Sequence, residues 1–251
     1  MSALIELQGI SVFGVDTHAR AAGLRQWFVK GVSLRPNRIP ILQDVTLIAK
    51  PGDRVGIVGA NGSGKSSLMK VISGNYPIHA GTRRVEGTLV PLIEMGTGFE
   101  NEISGRGNIR LTYGYRGKLQ NYSLEVEQQI IDFAELGDKI DLPLKSYSSG
   151  MRSRLAFSSA IFQDPDILLL DEIFATGDAG FVHKSKEAIM NKIDRAAITI
   201  MASHNPAEML NLCNRFLLVH EGRILNEGSG KDIFAQYDSE ILHLQRPELG
   251  T

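Results

Sequence analysis

The sequence predicts an α/β fold with a mainly parallel core sheet. Three observations carry that expectation. Short aliphatic and β-branched runs alternate with stretches of helical apolar spacing. One run, Arg54-Val-Gly-Ile-Val58, leads straight into a glycine-rich loop. Another, Ile167-Leu-Leu-Leu170, ends on two acids, Asp171 and Glu172. Alternating strand and helix signals are what crossover-connected parallel strands leave in a sequence. The C-terminal ends of such strands are where these sheets bind ligands.

The elements follow in order. Leu4 to Val12 alternates apolar residues at Ile5, Leu7 and Ile10 and reads as a strand. Ile41 to Ala49 reads as a second, closed by the turn Lys50-Pro51-Gly52-Asp53. Between them, Thr17 to Gln43 holds five basic residues (Arg20, Arg25, Lys30, Arg35, Arg38) and no acids. Leu24, Trp27 and Phe28 fall at i, i+3, i+4 there. That spacing predicts a short amphipathic helix stopped by Gly31 and Pro36; a solvated surface loop carries the same charge run. Arg54–Val58 predicts a buried parallel strand. Lys65 to Ser73 and Leu124 to Leu136 predict helices, the second from Val126, Ile130, Ile131 and Phe133. Ile167–Leu170, Ile198–Ala202 and Phe216–His220 predict further strands, and Gly222–Leu225 a hairpin return.

Composition bounds the function. The 251 residues are enough for one or two domains with a sizeable core. Lys plus Arg is 27 and Asp plus Glu is 28, giving a net charge of −1, which argues against a nucleic-acid partner. With 43% hydrophobic and 22% charged residues, global disorder is excluded. A single cysteine, Cys213, excludes an internal disulfide framework and a cysteine-based zinc site, and it fits a reducing, cytoplasmic compartment. The apolar runs fall well short of the roughly 18 residues a membrane helix needs. The start, MSALIELQGI, has no basic n-region, so no secretory signal is expected. Any service to a membrane process is expected from the cytoplasmic side.

The strongest motif is Gly59-Ala-Asn61-Gly62-Ser63-Gly64-Lys65-Ser66, a full match to G-x-x-x-x-G-K-[ST] between a strand and a helix. Its glycines let backbone N–H groups converge on a phosphate, and the helix N-terminus adds partial positive charge there. Lys65 is positioned to reach the β- and γ-phosphates. The Ser66 hydroxyl is suited to Mg²⁺, and Ser67 to the α-phosphate. Asp171 has the place of the Mg²⁺-holding carboxylate after a buried strand, and Glu172 that of a base for the attacking water.

Tyr147-Ser148-Ser149-Gly150-Met151 precedes Asp171, its glycine by 21 residues, and runs into the helical Arg152-Ser-Arg154-Leu-Ala-Phe157. This resembles the LSGGQ signature of ABC-type ATPases, with Tyr for Leu, Ser for the first Gly and Met for Gln. Asp178 has the place of that family's D-loop aspartate. His204, after the Ile198–Ala202 strand, has that of its switch histidine. The resemblance covers about residues 4 to 236. Pro91-Leu-Ile-Glu94-Met-Gly-Thr-Gly98-Phe99 through Gly105-Arg-Gly-Asn108 is similar to ATPase subunits that export lipid-linked polysaccharides such as O-antigen, capsule and teichoic acid. Phe133-Ala-Glu-Leu-Gly137, Gly177-Asp178-Ala179 and Leu212-Cys213-Asn-Arg215 are similar to the same branch, as is an expanded segment over about 14–40.

The resemblance implies one ABC-type nucleotide-binding domain over 1–251. Its mainly parallel core sheet would carry an antiparallel β subdomain and a helical signature subdomain at about 98–160, with no C-terminal carbohydrate-binding domain. It implies ATP and Mg²⁺ as cofactors and a homodimer that sandwiches ATP. Each ATP would lie between the phosphate loop of one copy and Ser148 and Gly150 of the other. It implies catalysis by Glu172 with His204 at the γ-phosphate. Glu94 is the nearest candidate for the glutamine that touches Mg²⁺ in most relatives. Phe13 is the candidate for the adenine-stacking aromatic, with Trp27 and Phe28 also open. A separate transmembrane subunit would dock near Glu94 to Asn108, at the cytoplasmic face of the inner membrane. An ABC ATPase for another substrate is the nearest alternative. A soluble ABC protein of translation or DNA repair would carry two cassettes or long heptads. A metabolic P-loop kinase would not need the signature.

Overall fold

The computed structural model describes residues 3–15, 38–93, 95–115, 121–171, 179–203 and 205–242. In chain order the elements are β1 (Leu4–Val15), β2 (Arg38–Ala49), β3 (Arg54–Val58), α1 (Lys65–Ser73), β4 (Ala80–Glu86), β5 (Leu89–Leu92), α2 (Gly105–Tyr115), α3 (Leu124–Ala134), α4 (Ser149–Ile161), β6 (Ile167–Asp171), α5 (Ala179–Arg195), β7 (Ile198–Ala202), α6 (Pro206–Leu212), β8 (Arg215–His220), β9 (Arg223–Gly228) and α7 (Gly230–Gln236). Short 3-10 turns at Gly137–Asp141 and Leu144–Ser146 precede α4. The chain forms two compact units, Met1–Glu86 with Ile200–Thr251, and Gly87–Thr199.

In the first unit, β2, β1 and β4 form an antiparallel sheet in that order. Ile5 faces Ala49 and Leu7 faces Leu47. Val45, Leu47 and Ala49 are buried while their neighbours are exposed, the alternation of a sheet with one wet face. Beside it, β3 runs parallel to β8 from Val55–Arg215 to Val58–Leu218, and β9 returns antiparallel along β8. Val55, Ile57, Val58 and Phe216 to Val219 are all buried, so these strands read as unbroken apolar runs. Asn214 fastens their start: its Oδ1 accepts from the Arg54 amide at 2.9 Å and its Nδ2 donates to the Gly52 carbonyl at 2.8 Å. Arg83, on β4, donates to the Val71 carbonyl at 2.8 Å and the Ile72 carbonyl at 2.6 Å. Arg83 shares the Val71 carbonyl with the Gly74 amide, and a cation at the C-terminal end of α1 suits the helix dipole.

In the second unit, β5 and β6 pair in parallel, Leu89 to Leu92 against Ile167 to Leu170. The Asp166 carboxylate accepts from the Thr88 amide at 2.7 Å where the pair begins. Helices α2, α3 and α4 close over a core of Ile109, Tyr113, Ile130, Ile131, Leu144 and Leu155. Ser123 caps α3 by accepting from the Val126 amide at 3.1 Å. At the α2–α3 contact, the buried Glu127 accepts from Arg106 at 2.7 Å, from Arg110 at 2.9 Å and from the Tyr122 hydroxyl.

The strands and helices expected over the described residues are present, several with shifted ends. The helix after the signature starts at Ser149 rather than near Arg152, because Ser148 acts as its cap. The amphipathic helix expected around Leu24 to Phe28 lies outside the described residues.

Candidate functional site

The phosphate loop hangs between β3 and α1. Gly64 is the N-cap of α1 at φ +111°, a conformation that only glycine adopts without strain. No side chain caps α1 and no acid lies in its first turn. Its first-turn N–H groups are therefore left for an anion. Gly59 answers to space rather than torsion: a Cβ there would stand 2.2 Å from the Val219 carbonyl oxygen.

The loop is braced from behind. The Ser63 carbonyl accepts from the Gly222 amide at 2.8 Å, and the Gly222 carbonyl accepts from the Gln43 amide at 2.8 Å. Leu42 of β2 lies against Gly64, 3.1 Å from where its Cβ would be. Lys65 is buried, and its Nζ donates to the Gly59 and Ala60 carbonyls at 2.8 and 2.9 Å. The ammonium is thus held across the loop by backbone oxygens. The Ser63 Oγ is buried with no hydrogen-bond partner among the described residues. A cationic loop with an uncapped helix N-terminus and an orphaned hydroxyl fits a nucleotide phosphate chain. Asn61, Gly62 and Ser66 are exposed and Ser67 is half-buried.

Phe13 lies on β1 opposite Pro40, one residue beyond the Val12–Leu42 pair whose Leu42 touches the loop. Its ring meets the edge of His79 at 5.6 Å and 79°, and its amide donates to His79 Nδ1 at 3.3 Å. Asp171 ends β6, half-buried, after three buried leucines. Glu94, Glu172, Asp178 and His204 lie outside the described residues. Among the described residues, no group of three or more His, Cys, Asp or Glu side chains is placed to cage a metal.

The signature residues open α4 in the second unit. The Ser148 Oγ accepts from the Met151 amide at 3.2 Å, which leaves its own O–H able to donate. Ser148 and Ser149 are exposed, and among the described residues a Cβ on Gly150 would meet only the Ser148 Oγ, at 3.9 Å. No acid lies in the first turn of α4. The Tyr147 ring is buried, and that burial raises the phenol above its ordinary pKa and keeps it a donor.

Asn108 is fully buried, and its role was not foreseen from the sequence. Its Nδ2 donates to the Glu100, Ile103 and Ser104 carbonyls at 3.0 to 3.2 Å, and its Oδ1 accepts from the Glu100 amide at 2.7 Å. The 100–104 loop is wrapped around this one amide. Beside it, a groove of about 390 Å³ is lined by Met95, Phe99, Asn101, Arg152, Ser153 and Ala156.

A phosphate loop on a parallel strand, with an antiparallel sheet in the same unit and a helical unit carrying the signature, defines a P-loop nucleotide-binding fold. The ABC transporter family profile matches residues 42–175, and the chain belongs to that family. It is 37% identical to the ABC transporter protein AbcA of Aeromonas salmonicida over 82% of this chain and 67% of that one. It is 38% identical to the teichoic acids export ATP-binding protein TagH of Lactiplantibacillus plantarum over 85% of this chain and 55% of that one. It is 36% identical to the O-antigen export system ATP-binding protein RfbE of Yersinia enterocolitica over 75% of this chain and 79% of that one. The chain spans about half the length of the teichoic acid export relatives it matches. The solved ATP-binding subunit of an ABC transporter shares the fold at a TM-score of 0.67 and 21% identity, over 94% of this chain and 93% of that one. A dimeric ATP-binding cassette bound to ADP and Pi shares it at 0.65 and 16%, over 90% and 98%.

Proposed function

We propose that this chain is the ATP-hydrolysing subunit of an exporter that moves a lipid-linked polysaccharide across the inner membrane, working with a separate transmembrane subunit. The observation that carries the ATPase reading is the start of α1 behind the phosphate loop, which has no side-chain cap and is crossed by the buried Lys65. The polysaccharide class rests on the teichoic acid and O-antigen export relatives and on the Pro91–Asn108 run. Among the described residues no helix is long and apolar enough to cross a membrane. The groove beside Asn101 and Arg152 is the surface offered to a membrane subunit, and the complex would sit at the cytoplasmic face.

The chemistry follows from residue types. Lys65 and the first-turn amides of α1 neutralise the β- and γ-phosphates. Ser66 and Asp171 would hold Mg²⁺, with Glu94 as a further oxygen; bound there, the ion shields phosphate charge. Glu172 takes the proton of the attacking water as the γ-phosphorus–oxygen bond to ADP breaks. His204 contacts the γ-phosphate, and Phe13 stacks on adenine. A second copy supplies Ser148 and the N-terminus of its α4 to the same γ-phosphate, with Asp178 at the junction. Nucleotide thus holds two copies together, and hydrolysis releases them.

The test is to co-express the chain with the membrane protein encoded beside it and measure both copurification and surface polysaccharide in cells. Copurification with restored surface glycan is expected. Copurification with unchanged surface glycan would assign the ATPase to a transporter of another substrate.

A further inference from the structure

Tyr147 stands where the ABC signature has leucine, and it does more than fill a pocket. It is 7% exposed, packed with Ile109, Ile140, Leu144 and Leu155. Its hydroxyl donates to the Lys139 carbonyl at 2.7 Å. The phenol oxygen occupies a notch at the start of α2: a Cβ on Gly105 would stand 2.3 Å from it and 3.0 Å from the Ile140 carbonyl. Residue 105 must therefore lack a side chain for the phenol to seat. Leucine has no atom that could make that bond.

The segment just before Tyr147 is tied to the same place. The Lys145 amide donates to the Asn101 carbonyl at 2.9 Å, Leu144 to Ile103 at 2.9 Å, and Gly105 to Leu142 at 3.3 Å. Ser104 and Pro143 form an antiparallel bridge between them. This short strap fixes the chain up to Leu144, and the Tyr147 amide closes a turn on the Leu144 carbonyl at 3.0 Å. The next residue is Ser148, whose Oγ caps α4. Between strap and cap, the phenol is the anchor of the signature itself.

We propose that Tyr147 is a positioning residue for the trans-acting signature. Seated in the Gly105 notch and bonded to Lys139, it holds Ser148 and the first turn of α4 in the geometry that meets a nucleotide bound to a second copy. The proposal rests on the reading of Ser148 as acting in trans. Tyr147 itself touches no nucleotide. Loss of its hydroxyl lowers the fraction of competent loop, and apparent affinity falls by that fraction. One net hydrogen bond corresponds to about a fivefold effect.

The experiment uses the full chain with Glu172→Gln, so that bound ATP persists, and compares Tyr147→Phe and Ser148→Arg within it. Affinity of the isolated copy for a fluorescent ATP analogue is expected to stay within about twofold for both. The ATP concentration for half-maximal dimerisation, read by light scattering, is expected to rise about fivefold for Tyr147→Phe. Ser148→Arg is expected not to dimerise. Hydrogen exchange is expected to quicken at residues 147–152 and to stay unchanged in α3. If Ser148→Arg dimerises normally, the trans reading falls and this proposal with it. If Ser148→Arg fails to dimerise while Tyr147→Phe behaves as its parent, only the positioning role is refuted. Faster exchange throughout α2, α3 and α4 would show a general structural role and also refute it.

Discussion

Replacing Glu127 with alanine removes a carboxylate that receives Arg106, Arg110 and Tyr122 at the α2–α3 contact. Its side chain is 2% exposed, but those of Arg106 and Arg110 are 31% and 52% exposed. Stripping one partner from a fully buried pair costs about 3–5 kcal/mol. Here both guanidiniums reach water, and Arg106 keeps Asp141 at 2.7 Å, so the stranded charge is largely relieved. About 2 kcal/mol remains for the lost charge-assisted bonds. At this chain length that lowers Tm by about 4–8 °C, measured by calorimetry at pH 7. The pH dependence has a definite sign. Burial alone would raise the Glu127 carboxyl, but the bonds from Arg110, Tyr122 and Arg106 outweigh it and hold it below its ordinary value. A carboxyl depressed in the folded state stabilises fully above its unfolded pKa of about 4.3 and ceases to as pH falls through the folded one. The Tm gap between wild type and Glu127→Ala should therefore close on acidification below about pH 4. A gap under about 1 °C at pH 7, or one that widens in acid, would show that the Glu127 carboxylate does not hold the α2–α3 contact.

Gly59→Ala should lower Tm by several degrees and abolish nucleotide binding, because the methyl meets a backbone oxygen at 2.2 Å; a normal melt with normal binding would show that the loop yields. Lys65→Ala should weaken ATP binding by at least about tenfold, the loss of one charge-assisted bond to phosphate, read by titration with a fluorescent analogue. Ser in place of Arg20, Arg25 and Lys30, which lie outside the described residues, should leave the ATPase of the isolated protein near normal and abolish export. The ground is that basic residues near an anionic leaflet contribute about 1 kcal/mol each. Normal export would contradict a membrane-facing role for that segment.

Legibility in the sequence followed burial and punctuation. β3 and β7 match their expected bounds because both faces are covered and their apolar runs are unbroken. α1 matches because glycines in the left-handed region, Gly64 and Gly74, mark both ends. β4 escaped notice because Thr82, Arg83 and Arg84 show little apolar alternation; pairing with β1 makes it a strand. α2 escaped because three glycines in eleven residues mask its spacing, while its hold on the core comes from Ile109 and Tyr113. Glu127 on an amphipathic helix reads as a solvent-facing charge, and only the fold brings Arg106 to it. The turn and helix start over Gly59 to Ser66 were legible, since their spacing is local. The seat of Tyr147 was not, since it depends on a glycine 42 positions away.

We propose Glu172 as the base for ATP hydrolysis by this chain. The direct measurement is phosphate release by the purified complex with its membrane subunit in lipid vesicles, comparing wild type with Glu172→Gln at saturating ATP. The rate is expected to be lower by about 10²–10⁴ in the variant, with ATP still bound between two copies. Phosphate release at the wild-type rate would contradict it.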